Sequence, residues 1–208
     1  MNNQKKIAII NYEMGNIGSI VNMIKKIGFK VSVVNDPQKL TYYDYLILPG
    51  VGNFERGVNQ LKDLNFYDFL SSEIKTLDTK LLGICLGMQL LFDSSEEGEG
   101  EGLGLIRGKV KKFENLDAAS RIPHMGWNFI KKKKELEIFD FCEKNSRFYF
   151  VHSYFCDPEN LENVSATSTY GGKEFSSIVN SSNIYGTQFH PEKSHKFGFQ
   201  LLKGFLQL

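Results

Sequence analysis

The 208-residue sequence predicts a three-layer α/β fold: a mostly parallel central sheet with helices on both faces, plus a smaller antiparallel or mixed sheet region. Three observations predict it. The first half contains short segments that are apolar throughout, as expected of strands covered on both faces. Between them lie stretches whose apolar residues recur at helical spacing. After Leu91 the texture changes to shorter strand-like segments separated by turns.

Lys6–Asn11 is the first apolar run and ends in the loop Tyr12-Glu13-Met14-Gly15-Asn16. Ile17, Ile20, Val21, Ile24 and Ile27 then mark a helix that Gly28 stops. Lys30–Val34 reads as the second strand, and Tyr45–Leu48 as the third, closed by Pro49-Gly50-Val51-Gly52. Helices over Phe54–Leu61 and Phe66–Leu77 lead to the strand Lys80–Ile84. Glu96–Gly102 reads as a mobile acidic surface loop, and Lys131–Lys134 as a solvated turn. Leu105–Phe113, Trp127–Lys131, Phe148–His152, Val164–Tyr170 and Ser177–Val179 form the later strands. Ile184–Phe189 returns to a buried strand, and Phe197–Leu206 is a closing helix. With no internal repeat and no linker-like tract, residues 1–208 are expected to form a single domain.

Acidic and basic residues nearly cancel, giving a formal net charge of +1, which argues against a dedicated nucleic-acid binder. The opening Met1–Lys6 runs into an apolar segment too short for a signal-peptide core, and no apolar run approaches the ~18 residues of a membrane span. A cytoplasmic protein is expected. Cys85, Cys142 and Cys156 cannot all pair within the chain, and reduced thiols are the default. Cys142 and Cys156 have no partners at metal-ligand spacing, so no metal site is expected.

The chemistry concentrates in three segments. Gly83-Ile84-Cys85-Leu86-Gly87 follows a strand and opens a helix at Met88–Phe92, the layout of a nucleophile elbow with cysteine in the nucleophile's place. Flanking glycines clear the sharp turn, the helix start favours a thiolate, and the N–H of Leu86 should face a developing oxyanion. Alone, Cys85 reads as a small buried apolar residue, and the strand, two glycines and helix around it turn that reading. His190 and Glu192, two apart around Pro191 at a strand end, suit a base and the carboxylate that orients it. Alone, they are a solvated strand end. Pro49-Gly50-Val51-Gly52-Asn53 lies at the carboxyl end of the third strand, where ligands sit in parallel sheets. It offers a second oxyanion donor, or is an ordinary turn. His124 and His152 read as structural, partly buried residues.

Together, and in this order, these segments resemble the class I, triad-type glutamine amidotransferases. Met14-Gly15-Asn16-Ile17, Leu48–Phe54, Gly83–Phe92, Pro123-His124-Met125-Gly126-Trp127-Asn128, Tyr149–Tyr154 and Gln188–Ser194 carry the resemblance over essentially the whole chain. The Pro123–Asn128 and Pro49–Gly52 runs narrow it to the branch formed by glutaminase subunits of imidazole glycerol phosphate synthase. The resemblance implies that Cys85 forms a γ-glutamyl thioester, His190 shuttles the proton and Glu192 orients it, without a cofactor. It implies that L-glutamine is held by Gln89, by backbone of Gly50, Val51 and Gly52, and by Ser153 and Tyr154. It also implies a heterodimer with a HisF-like (β/α)8 cyclase subunit, which uses the channelled ammonia to form imidazole glycerol phosphate and AICAR in histidine biosynthesis. Such subunits are weak glutaminases until the partner's site is occupied. Met14, Asn16 and Lys193 would lie along the signalling and docking face, and Trp127 near the ammonia exit.

Two features depart from that branch. Glu13 stands where a small residue is common. Ser194–Gly198 resembles a paralogous branch found with surface-sugar genes, which supplies ammonia for amidino groups on sugars. The rival readings are a stand-alone cysteine hydrolase and a non-catalytic module that keeps the fold.

Overall fold

A computed structural model describes residues 5–208; the reading of the first four residues lies outside the described residues. In chain order the first half comprises β1 (Ile7–Ile10), α1 (Ile17–Ile27), β2 (Ser32–Val34), β3 (Tyr45–Gly50), α2 (Phe54–Asp63), α3 (Phe66–Ser71), β4 (Lys80–Cys85) and α4 (Leu86–Gln89). The second half comprises β5 (Ser94–Ser95), β6 (Gly108–Lys112), β7 (His124–Phe129), β8 (Lys131–Lys132), β9 (Arg147–His152), β10 (Tyr154–Pro158), β11 (Val164–Tyr170), β12 (Lys173–Ser181), β13 (Ile184–Thr187) and α5 (His195–Phe205).

Eight strands form one sheet in the order β2-β1-β3-β4-β13-β12-β11-β8. The strands from β2 to β13 pair in parallel, and β12, β11 and β8 extend the sheet antiparallel. Two small sheets, β10-β6-β5 and β7-β9, stand apart from it. Alternation along β1, β3 and β4 shows how both faces are buried. Ala8, Ile10, Leu46, Leu48 and Leu81 join one apolar cluster with Phe54, Val58 and Leu61 of α2 and Phe66 of α3. Ile7, Ile9, Tyr45, Ile47, Leu82 and Ile84 join another with Ile20 and Ile24 of α1 and Leu201, Leu202 and Phe205 of α5. Helices therefore cover the sheet on both sides, as its apolar strands require.

Several boundaries differ from the sequence expectation. The Phe66–Leu77 helix stops at Ser71 and resumes as a 3-10 turn over Glu73–Thr76. The helix after Cys85 is one turn long. Tyr154–Pro158, which falls between two of the expected strands, is itself a strand paired with β6. Lys131–Lys134 is the expected solvated turn only in part: Lys131 and Lys133 are exposed and Lys133 and Lys134 form a bend, but Lys131 and Lys132 pair with β11, Lys133 meets Glu174 at 2.6 Å, and Lys134 Nζ donates to the Glu162 carbonyl. The acidic loop is anchored as well. Glu97 Oε2 accepts the Phe54 N–H at 2.8 Å, and Glu96 Oε2 accepts the Lys112 N–H at 2.8 Å. Carboxylates that bind orphan backbone N–H groups hold a loop that composition alone describes as mobile.

Candidate active site

β4 delivers Cys85 to the carboxyl edge of the sheet, and the chain reverses at once into α4. Cys85 has φ 55° and ψ −108°, a positive-φ conformation that costs a non-glycine residue about 1–3 kcal/mol. The turn tolerates no side chains around it. A Cβ on Gly87 would overlap the Leu48 carbonyl of β3, and one on Gly83 would overlap the carbonyl of Gly87. The glycines thus permit close approach of the α4 backbone to β3 and β4.

β13 runs beside β4 and brings His190 to the same edge. The His190 N–H donates to the Tyr149 carbonyl at 2.9 Å, and Ser194 Oγ donates to the His190 carbonyl while accepting the Tyr149 N–H at 2.9 Å. The imidazole is buried. Its Nδ1 lies 2.8 Å from Glu192 Oε1, which leaves Nε2 for Cys85. Burial pushes the imidazole's pKa down. The Cys85 sulfur and the Glu192 carboxylate outweigh that and raise it to about 10. Nδ1 is thereby committed to Glu192, and Nε2 remains for proton transfer.

A cavity of about 360 Å³ opens on Cys85 and His190. Val51, Gly52, Leu86, Gln89, Ser153 and Tyr154 line it, so the structure brings together the substrate-binding residues named from sequence, with Gly50 paired to Cys85 one residue behind. Gln89 Nε2 donates to the Tyr154 carbonyl at 3.1 Å and to Gln188 Oε1 at 3.3 Å. Gln188 Nε2 in turn reaches Cys85 Sγ at 3.9 Å. One expected group is differently engaged. The Val51 N–H donates to the Met14 carbonyl at 2.6 Å and so is not presented to Cys85.

Met14 is buried in the core, and it meets the Pro49–Gly52 loop both by its carbonyl, which accepts the Val51 N–H, and by its side chain, whose Cε lies against Gly52. Asn16 is exposed and caps α1 by accepting the Ser19 N–H. Trp127 is half exposed, with His195 stacked on it at 5.6 Å and the Arg147 guanidinium over it at 5.6 Å. Lys193 is exposed, its Nζ 5.9 Å from the Tyr149 ring centroid. Among the described residues no group of three or more His, Cys, Asp or Glu could hold a metal ion.

Sequence reasoning missed Glu97 and Gln188. Glu97 is the one carboxylate lining the cavity, with a pKa raised by burial against the opposing Phe54 N–H. It was hidden within an acidic run. Gln188 carries a weaker signal than His190: a glutamine in a segment that reads as a buried strand must find polar partners.

This elbow, imidazole, carboxylate and cavity have the layout of a cysteine-dependent amide hydrolase. The Glutamine amidotransferase class-I family model matches residues 8–207, and the chain belongs to that family. It is 51% identical to the imidazole glycerol phosphate synthase subunit HisH 2 of Methanococcus maripaludis, over 97% of this chain and 98% of the relative. It is 44% identical to the subunit HisH of Leptospira borgpetersenii, over 97% and 100%. Among solved structures, PurLQS from Thermotoga maritima superimposes with a TM-score of 0.72 at 20% identity, covering 98% of each chain. A glutamine amidotransferase from the same organism gives 0.71 at 16% identity, covering 99% of this chain and 98% of that one. At these identities the structures bear on the fold alone.

Proposed function

We propose that this chain is the glutaminase subunit of an imidazole glycerol phosphate synthase of histidine biosynthesis, hydrolysing L-glutamine through a Cys85-His190-Glu192 triad and passing ammonia to a HisF-like (β/α)8 cyclase subunit. The observation that carries the reading is the strained Cys85 beside the His190–Glu192 pair at the floor of one cavity. The HisH relatives at 51% and 44% identity support the pathway.

Glutamine enters with its carboxamide over Cys85. Glu97, with Oε2 taken by the Phe54 N–H, offers Oε1 to the α-ammonium group. Cys85 Sγ attacks the amide carbon, and the Leu86 N–H stabilises the resulting oxyanion. The C–N bond breaks as His190 Nε2–H protonates the departing nitrogen, leaving ammonia and a γ-glutamyl thioester. Water then gives a proton to Nε2 and attacks the thioester, releasing glutamate and the thiolate. Glu192 stabilises the imidazolium in both half-reactions. A second oxyanion donor requires the Pro49–Gly52 loop to release the Val51 N–H from Met14, and that step gives a partner-dependent rate a structural basis.

The alternating exposed side chains Met125, Trp127 and Phe129 of β7 form an apolar face suited to a partner. No helix among the described residues is long and apolar enough to cross a membrane, and Cys85, Cys142 and Cys156 are unpaired, which supports a cytoplasmic subunit. An eight-stranded sheet built from both halves of the chain supports one domain. In the test, glutamate release is measured with the chain alone and with a HisF-like cyclase plus its acceptor. Turnover should be weak alone, rise by roughly 100-fold or more in the complex, and vanish in Cys85→Ala. Unstimulated turnover with strong peptide hydrolysis would instead mark a stand-alone hydrolase.

A further inference from the structure

Two histidines outside the triad are wired to the substrate cavity. His152 ends β9 and His124 begins β7; they face each other across that antiparallel pair, and both are buried. His152 Nδ1 lies 2.7 Å from the Tyr154 carbonyl, which can only accept, so Nδ1 carries the hydrogen. His152 Nε2 lies 2.9 Å from His124 Nδ1. In a neutral His152 that Nε2 is an acceptor, so His124 Nδ1 must donate. His124 Nε2 is then the acceptor for Asn128 Nδ2 at 3.4 Å. The Asn128 amide is oriented from both ends: Nδ2 donates to the Thr169 carbonyl at 2.9 Å, and Oδ1 accepts the Phe129 N–H at 2.8 Å. Every donor in the line thus has one direction. With His152 neutral, both rings are of the Nδ1–H tautomer; a proton added to His152 Nε2 would set two N–H groups face to face, or force the His124 hydrogen onto Nε2 against the Asn128 amide. Their surroundings favour this: His124 stacks on Phe150 and Tyr170, and burial lowers both histidines, to about 4 for His124 and about 3 for His152.

The line meets the cavity at His152, which is itself part of the wall, and at Tyr154. The Tyr154 carbonyl receives two hydrogen bonds, from His152 Nδ1 and from Gln89 Nε2. The second Gln89 amide hydrogen goes to Gln188, whose own amide faces Cys85 Sγ. With both hydrogens committed inside the protein, Gln89 has only its Oε1 acceptor to offer the substrate. We infer that His152, backed by His124, is a positioning residue for glutamine hydrolysis: it fixes the Tyr154 carbonyl and, through it, which end of the Gln89 amide faces the substrate. The inference rests on the glutaminase reading. It also places the line's origin on β7, whose intervening side chains Met125 and Trp127 point outward.

The test labels Cys85 with two electrophiles, using the full chain. Diazo-oxo-norleucine must occupy the glutamine site to react, whereas iodoacetamide needs only the thiolate. His152→Leu should slow the glutamine mimic about tenfold, the worth of one buried hydrogen bond, while iodoacetamide reacts within roughly twofold of the parent. His152→Asn, whose Nδ2 can still donate to Tyr154, should recover most of the loss. A His152→Leu protein labelled by the mimic at the parental rate overturns the inference, as does a His152→Asn protein no faster than His152→Leu. If the leucine variant fails to fold, nitrogen-15 spectra of the unsubstituted protein decide. Both rings should be neutral Nδ1–H tautomers at neutral pH, and an Nε2–H signal from either overturns the line. A parent protein that iodoacetamide labels at Cys85 and the mimic does not would defeat the glutaminase reading itself, and this inference with it.

Discussion

At the scale of single residues, the account turns on where one proton sits. His190 is raised above the ordinary histidine range because Cys85 and Glu192 outweigh its burial. A raised pKa means that the imidazolium is favoured by folding: its stabilisation is complete below the unfolded value near 6.5 and is lost as pH rises through about 10. Protonation of the departing ammonia needs that imidazolium, whereas alkylation of Cys85 needs only the thiolate. Glutamine turnover should therefore fall as pH rises through about 10 while iodoacetamide labelling of Cys85 continues. Glu192→Gln, which removes the carboxylate but keeps an acceptor, should shift the alkaline limb of turnover to lower pH. Turnover and alkylation that fall together would assign the limb to something other than His190.

At the scale of elements, the elbow works because β3, β4 and α4 approach more closely than side chains allow. Gly87→Ala should cost about 3 kcal/mol or more, since its Cβ would overlap the Leu48 backbone carbonyl and no side chain there can yield. A urea unfolding midpoint measures it, and a loss under about 1 kcal/mol would show that the strands can part. The parallel half of the sheet was legible in the sequence because Lys6–Asn11, Tyr45–Leu48 and Lys80–Ile84 are apolar on both faces, a pattern few other structures produce. The segments that meet at the candidate site were legible because glycine spacing and a His-Pro-Glu turn are local features. What could not be read was non-local. Glu97 owes its place to an N–H of α2 more than forty residues away, Gln188 to Gln89 of α4, and His152 to His124 across the β7–β9 pair. The inward turn of Met14 and its hold on Val51 depend on packing between two loops, about which neither loop's sequence speaks.

At the scale of the molecule, one surface and one cavity lie close together. β7 exposes Met125 at 61%, Trp127 at 43% and Phe129 at 58%, with Ile122 nearby at 44%, while its inward residues His124 and Asn128 belong to the line that ends at Tyr154. A partner seated on this face would bury apolar side chains that are costly to leave in water. Met125→Glu with Phe129→Glu should weaken association with the proposed cyclase subunit by at least about tenfold, measured by titration calorimetry. The slow glutaminase rate of the isolated chain should be retained. Undiminished affinity would move the docking face elsewhere. The central claim, that this chain splits glutamine through Cys85, is tested most directly by acid-quenching the complex during turnover of isotopically labelled glutamine and locating the trapped acyl group by mass spectrometry. The account predicts one γ-glutamyl thioester, on the peptide that contains Cys85, and none after Cys85→Ala. An adduct on Cys142 or Cys156, or undiminished turnover by the alanine variant, would contradict it.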